Sequence, residues 1–135
     1  MLTRLLQIIW AYDFDSAQGT LSNKRIFVDR REQAGEPDGL LVDVAGNVYT
    51  FLWGGGKVVK YNFRGEHLKE WSINAHRVTH GAWVGEQYDE LVLTSAVTDD
   101  TSKLWDGEEG GALFWLKDVG CRGLRKNKFG NVQGL

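Results

Sequence analysis

The sequence has very little cysteine and very little proline. Among its 135 residues, Cys121 is the single cysteine and Pro37 the single proline. One cysteine cannot form an intramolecular disulfide, so nothing in the cysteine content points to an oxidising compartment. We interpret Cys121 as a small buried hydrophobic residue rather than a reactive thiol.

Long apolar runs are also missing. No stretch approaches the roughly 20 consecutive apolar residues that span a bilayer. The short apolar run at 1–10 leads directly into Ala11-Tyr12-Asp13 without a convincing cleavage region, and we interpret it as the start of a strand. The formal net charge of −2 provides no field that would attract nucleic acid or acidic membranes. We therefore expect a cytoplasmic protein with no nucleic-acid partner and no membrane partner.

Glycine and tryptophan are the residue types in excess, with 17 and 6 copies respectively. This mixture suits tight turns between short strands that pack through large flat side chains. No helical period interrupts the pattern from 38 to 73. The predicted fold class is all-β. The strand-like runs are 8–14, 25–28, 40–44, 48–53, 57–63 and 67–73.

Self-comparison of the sequence reveals a repeat. Residues 38–42 recur at 80–84, residues 48–51 at 91–94, and residues 55–60 at 110–115. A four-stranded unit that repeats about every 40 residues is typical of β-propeller blades. We predict a single partial propeller domain over 1–135, a generic antiparallel sheet being the alternative. Its parts are the outer hairpin of one blade at 7–28, a complete blade at 38–73, and most of a further blade at 79–129.

The segment 99–109 is polar, acidic and longer than the glycine turn at 54–56 that it replaces in the repeat. Such a segment is expected to be an exposed loop. A solvated loop and a substrate lid are both compatible with its composition.

Several catalytic motifs are absent from the sequence. It contains no G-x-S-x-G nucleophile elbow, no H-E-x-x-H zinc helix and no paired cysteine ligands. The run at 54–57 resembles the end of a phosphate loop, but Val58 stands where serine or threonine must bind the metal. Asp13 and Asp15 do not continue into a calcium loop, because Ala17 occupies the third ligand position. The sequence therefore does not predict a serine nucleophile, a zinc helix, a phosphate loop or a calcium loop.

The run Glu36-Pro37-Asp38-Gly39 immediately precedes an apolar strand at the start of the predicted complete blade. At that position Asp38 would lie at the mouth of the central channel, where the innermost strands converge. A carboxylate there is a candidate metal ligand. Pro-Asp-Gly is also an ordinary turn sequence, so the motif by itself leaves both interpretations open.

A wider set of motifs carries a resemblance to a known family. The motifs occur in order at 27–29, 35–40, 43–47, 53–61 and 93–96, and the segments 111–114 and 123–129 match the family's usual C-terminal part. Together they resemble the second half of the family that includes gluconolactonase, regucalcin (senescence marker protein) and luciferin-regenerating enzyme. The resemblance extends from about Ile9 to Phe129.

The resemblance implies a six-bladed propeller that holds one divalent cation in its central channel and hydrolyses sugar lactones or related esters. It implies that Asp38 is a metal ligand and a candidate general base. Calcium or zinc is the expected ion, with magnesium or manganese as alternatives. The cation would polarise the lactone carbonyl and lower the pKa of a bound water.

The departures from the family pattern limit this expectation. The resemblance places the family's other metal ligands, a glutamate and an asparagine, before Met1, so we expect a truncated or partial member that is inactive as an isolated chain. His80 stands where the family more often has a small hydroxyl residue. It is a substrate-side candidate that would face the channel beside Asp38, although a packed or solvent-facing histidine is the simpler interpretation.

A non-catalytic propeller fragment that acts as a binding or assembly module is the alternative function. An arc of two to three blades leaves apolar blade faces open at both ends, because each blade gains its core from stacked neighbours. We therefore expect self-association through these open faces.

Overall fold

A computed structural model describes residues 7–125 of the protein. This part of the chain forms β-strands and a 3-10 turn at Thr101–Lys103, with no α-helix, and the all-β prediction is confirmed. Within these residues no helix is long and apolar enough to cross a membrane. The strands are β1 (Ile8–Asp15), β2 (Thr20–Asp29), β3 (Glu36–Val42), β4 (Val48–Trp53), β5 (Lys57–Tyr61), β6 (His67–Ser72), β7 (Arg77–Val84), β8 (Glu90–Ala96) and β9 (Leu113–Leu116).

The strands form three antiparallel sheets in which each strand pairs with its neighbour along the chain. The first sheet has the order β1-β2, the second β3-β4-β5-β6 and the third β7-β8-β9. Glycine turns make the tight connections possible. Gly65, between β5 and β6, has a φ of +82°, and an added Cβ would lie 2.2 Å from the carbonyl oxygen of Phe27. Only glycine fits there, because both the backbone conformation and the neighbouring sheet exclude a side chain.

Strand β3 begins four residues earlier than the sequence predicts. Glu36 and Pro37 pair with Trp53 and Leu52, so Asp38 lies within the strand and not before it. The prediction of the strand start at residue 40 is therefore wrong. Proline is tolerated here because β3 is an edge strand and Pro37 adjoins a β-bulge.

The central strands β4 and β5 of the second sheet are buried on both faces. Phe51 and Val58 belong to a core shared with the third sheet, whereas Leu52 and Val59 belong to a core shared with the first. Successive side chains of a strand point to opposite faces, which explains why two adjacent apolar residues are needed in both β4 and β5. Full burial of each such side chain stabilises the fold by about 1.5–3 kcal/mol.

A buried carboxylate organises the turn between β3 and β4. Asp43 is 1% exposed. One carboxylate oxygen accepts the backbone N–H groups of Ala45 and Asn47, and the other accepts the Asn47 amide at 2.8 Å and the Tyr49 hydroxyl at 3.1 Å. The Lys60 ammonium lies 3.4 Å away. Burial alone would raise the pKa of Asp43, but these hydrogen bonds outweigh it and hold the pKa below its ordinary value.

The segment after β9 returns to this turn. Gly123 forms an isolated bridge with Asp43, and the N–H of Val44 donates to the carbonyl of Arg122. Cys121 is half-buried, packs against the core and contacts the Tyr49 hydroxyl at 2.5 Å. Burial raises the pKa of the Cys121 thiol, so the thiol is protonated at neutral pH. Residues 126–129 of the predicted further blade lie outside the described residues.

The first sheet exposes large apolar side chains. Trp10 pairs with Ile26 across the hairpin, and Phe14 pairs with Leu21. These four residues and Tyr12 are between 37% and 65% exposed. Contact between apolar side chains and water is unfavourable, so a partner that covers this surface would stabilise the protein.

We predict that replacing Asp43 with asparagine lowers the free energy of unfolding by about 2–4 kcal/mol, because the amide cannot serve all the donors that face the carboxylate. Since the pKa of Asp43 is lower in the folded protein, its charge contributes fully above an ordinary aspartate pKa of about 3.9. The contribution is lost as the pH falls through the folded-state pKa. Urea denaturation from pH 7 to pH 3 measures both effects, with the exposed Asp106→Asn as control. An effect of Asp43→Asn that is the same at every pH would contradict the assignment.

We predict that the purified chain self-associates through the apolar surface of the first sheet. Size-exclusion chromatography with light scattering should give a mass above the 15.2 kDa monomer. The double variant Phe14→Ser/Leu21→Ser should shift the protein towards the monomer, because it removes one cross-strand apolar pair. Phe63→Ser, at an equally exposed site in the β5–β6 turn, is the control. A monomeric wild type would show that this expectation is wrong.

Candidate functional site

Asp38 lies in a β-bulge near the start of β3. Asp38 and Gly39 together oppose Phe51, because Pro37 pairs with Leu52 and Leu40 pairs with Thr50. Bulges change the direction of side chains and are common beside functional sites. The Asp38 side chain is exposed, and none of the ion pairs within residues 7–125 involves it.

A cleft of about 310 Å³ opens beside Asp38, and Glu36, Pro37 and Trp53 form the rest of its wall. Trp53 is the last residue of β4 and pairs directly with Glu36. Asp38 therefore borders a space that a small ligand can enter. An exposed carboxylate in such a cleft can act as a general base or bind a cation.

His80 lies in β7, a strand of the third sheet that packs beside β3, and it also adjoins a β-bulge. Val78 pairs with Ser95 and His80 pairs with Thr94, which leaves Thr79 as the extra residue. The imidazole covers Gly39: a Cβ on Gly39 would lie 2.1 Å from the Nδ1 atom of His80. The structure thus brings His80 to the residue next to Asp38, and glycine at position 39 is required by this contact.

The remaining contacts of His80 are with the core and the backbone. Its ring meets Phe51 edge-on, with 5.6 Å between ring centroids, and its carbonyl accepts the Thr94 hydroxyl. The side chain is nevertheless exposed. Among the hydrogen bonds and ion pairs of residues 7–125, none joins His80 to Asp38. His80 is therefore held near the Asp38 cleft by packing.

A second cleft, of about 370 Å³, adjoins the first. Trp53 and Glu36 line both. The Arg77 guanidinium lies over the Trp53 ring, 4.6 Å from its centroid, and donates to the carbonyl of Val97 at 3.0 Å. The sequence does not single out Trp53 or Arg77 as site residues. The other residues of this cleft are Gln7, Gly35, Gly54, His76, Thr98, Asp100 and Lys103.

The loop 99–109 contributes to this second cleft and is tied to the connection between β6 and β7. The Trp105 indole donates to the Asn74 side chain at 2.7 Å. A carboxylate oxygen of Glu108 accepts the backbone N–H of His76 at 2.7 Å, and this bond, with one from Gly110, lowers the pKa of Glu108. The loop is largely exposed, as expected, but these bonds fix its position.

A complete metal site is not present in the described part of the chain. Within residues 7–125 no group of three or more histidine, cysteine, aspartate or glutamate side chains is placed to hold an ion. Asp38 and His80 are two candidate ligands from adjacent strands, and one or two ligands do not hold calcium or zinc firmly. The described residues therefore do not by themselves fit the cation that the resemblance implies.

A family model described as the SMP-30/Gluconolactonase/LRE-like region matches residues 4–97. The chain belongs to this family. The pentonolactonase XacC of Haloferax volcanii is 35% identical over 120 residues, which cover 85% of this chain and 41% of that protein. The resemblance predicted from the sequence is confirmed.

Solved structures of the family match the fold. A luciferin-regenerating enzyme superposes with a TM-score of 0.80 at 26% identity over 88% of this chain. A calcium-binding protein, regucalcin, from Agrobacterium tumefaciens superposes with a TM-score of 0.73 at 24% identity over 84% of the chain. The predicted fold class, an all-β partial propeller, is confirmed. The chain spans about 40% of the length of these relatives.

We predict that the chain alone binds calcium or zinc with a Kd weaker than about 10⁻⁴ M, because a single exposed carboxylate cannot replace the ion's hydration shell. Calorimetric titration of the wild type measures this directly. The matched variants are Asp38→Asn and Glu86→Gln. Glu86 is an exposed residue in the turn after β7 and does not line the Asp38 cleft. A micromolar site that Asp38→Asn abolishes and Glu86→Gln preserves would show that the ligand set is larger than Asp38.

Proposed function

We propose that this chain forms the Asp38 side of the active site of a divalent-metal-dependent lactonase that acts on sugar lactones or related esters. The observation that carries the proposal is the exposed Asp38 carboxylate in the wall of a cleft, on a motif that the family resemblance assigns to catalysis. Membership of the family and the pentonolactonase relative support the reaction class. The single cysteine supports a cytoplasmic location.

In this proposal Asp38 has two roles. It is one ligand of a divalent cation, calcium or zinc in the first place and magnesium or manganese as alternatives, whose other ligands lie outside residues 7–125. When bound, such an ion stabilises the negative charge that develops on the carbonyl oxygen. Asp38 is also the general base: its carboxylate accepts a proton from the attacking water, while His80 borders the substrate.

A non-catalytic binding or assembly module is the second candidate. The observation that favours it is the exposed apolar surface of the first sheet, at Trp10, Tyr12, Phe14, Leu21 and Ile26. Surfaces of this kind mark contacts with other proteins. This function requires neither a metal ion nor Asp38.

A chimera distinguishes the two functions. In it, residues 7–125 replace the matched segment of the Haloferax volcanii pentonolactonase, which supplies the rest of the propeller. We predict that the chimera hydrolyses a pentonolactone in a metal-dependent manner and that Asp38→Asn lowers kcat at least about 100-fold, as expected for loss of a general base. A pH-stat assay with each of the four ions measures the rate.

Glu86→Gln in the same chimera is the control and should retain full activity. A folded chimera that is inactive with every ion would contradict the lactonase proposal and favour the binding module. Full activity of the Asp38→Asn chimera would contradict the assigned role of Asp38.

A further inference from the structure

The two clefts adjoin at Glu36 and Trp53, which belong to the walls of both. We call the two clefts together the Trp53 groove. Asp38 lies at one end, and Arg77 and Lys103 lie at the other. Its walls come from the second and third sheets and from Gln7, the residue before β1. A ligand that extends from Asp38 towards Arg77 must pass the Trp53 ring.

Trp53 is held in place before any ligand arrives. It is 36% exposed, and the Arg77 guanidinium covers its ring. Arg77 is itself held by its hydrogen bond to the Val97 carbonyl. A fixed indole offers a large flat apolar surface. Because its side chain is already ordered, little conformational entropy of the protein is lost when a ligand contacts it.

The polar groups of the groove suit an uncharged ligand with many hydroxyl groups. Glu36 and Asp100 offer carboxylate acceptors, and Arg77 and Lys103 offer cationic donors. The formal charges of these four side chains cancel, and Asp38 leaves the groove with a formal charge of −1, so the groove does not favour an anionic ligand. A hydroxyl group donates one hydrogen bond and accepts others, and it can therefore pair with both kinds of side chain.

The far wall of the groove is also preorganised. Lys103 is held by an ion pair with Asp100, whose oxygen lies 3.2 Å away. The rest of this loop is tied to the β6–β7 connection through the indole of Trp105 and the carboxylate of Glu108. Because the loop is tied in this way, less free energy is lost to ordering it when a ligand binds.

We propose that the Trp53 groove binds the hydroxyl-bearing carbon ring or chain of the substrate, with Trp53 as the specificity-determining residue between Asp38 and Arg77. The carbon skeleton packs on the exposed part of the indole, and the hydroxyl groups pair with Arg77, Lys103 and the acidic side chains. The link to catalysis rests on the proposed lactonase function. Binding in the groove does not, because it requires neither a metal ion nor turnover.

The test uses the full chain labelled uniformly with ¹⁵N, so that tryptophan indoles and backbone amides are both observed. The probe is 1,5-anhydro-D-glucitol, a ring polyol that cannot be hydrolysed, and tetrahydropyran is the matched ring without hydroxyl groups. We expect the Trp53 indole resonance, assigned by its loss in Trp53→Phe, to shift saturably with the polyol and not with tetrahydropyran. The resonance of Trp115, an indole on β9 that is 60% exposed, should not move.

Two substitutions complete the test. Trp53→Leu should weaken polyol binding, followed at the backbone amides of the groove, by about 10-fold, as is typical for a central aromatic contact residue. Trp115→Leu should leave it unchanged. The dispersed resonance of the buried Trp83 reports that each variant is folded. Absence of a saturable shift at Trp53, equal shifts at Trp53 and Trp115, or equal shifts with both probes would overturn the proposal.

The result is independent of the chimera experiment. Failure of the proposed lactonase function, shown by a folded chimera that is inactive with every ion, leaves saturable polyol binding at Trp53 intact. If the polyol does not bind but Asp38→Asn lowers kcat of the chimera as expected, the groove assignment is contradicted and the lactonase proposal stands.

Discussion

Phe51 and Leu52 are neighbours in β4, yet their side chains are buried in two different cores, one against the third sheet and one against the first. This packing of the second sheet between two others is the interaction on which the remaining features depend. This packing requires adjacent apolar residues in β4, because successive side chains of a strand point to opposite faces. It also sets how closely β7 approaches β4. An added Cβ at Gly81 would lie 2.7 Å from the Phe51 ring, so β7 can lie this close only with glycine there.

The two ends of the second sheet use their carboxylates in opposite ways. At one end Asp43 is buried and fully hydrogen-bonded, and the returning segment around Gly123 pairs with its backbone. A buried charge without such partners would cost several kcal/mol, roughly the stability of a small domain. At the other end Asp38 is exposed in a bulge and remains free to meet a ligand. The carboxylate that stabilises the fold and the candidate site residue thus lie at opposite ends of β3.

The Trp53 groove depends on this stacking as well. Trp53 ends β4, Arg77 begins β7, and the loop 99–109 follows β8, so three elements from two sheets must lie together before the groove exists. The Arg77 guanidinium over the Trp53 indole and the hydrogen bond to Glu108 then fix the walls of the groove. A change that loosens the contact between the second and third sheets would therefore disturb the groove and the packing of His80 on Gly39 together.

The sequence by itself determined the fold class, the family and the identity of Asp38 as a residue of interest, because turn glycines, alternating apolar residues and a repeated motif are local signals. The strand at 48–53 agrees with β4 to the residue. Only the tertiary structure decided that Pro37 and Asp38 lie inside β3, because a proline is tolerated within a strand only at a sheet edge, at the first residue or at a bulge, and β3 supplies an edge and a bulge. It also decided that His80 covers Gly39, that Arg77 covers Trp53 and that Gly123 pairs with Asp43. These contacts join residues distant in the chain, and no local pattern of residue types records which surfaces will meet when the sheets stack.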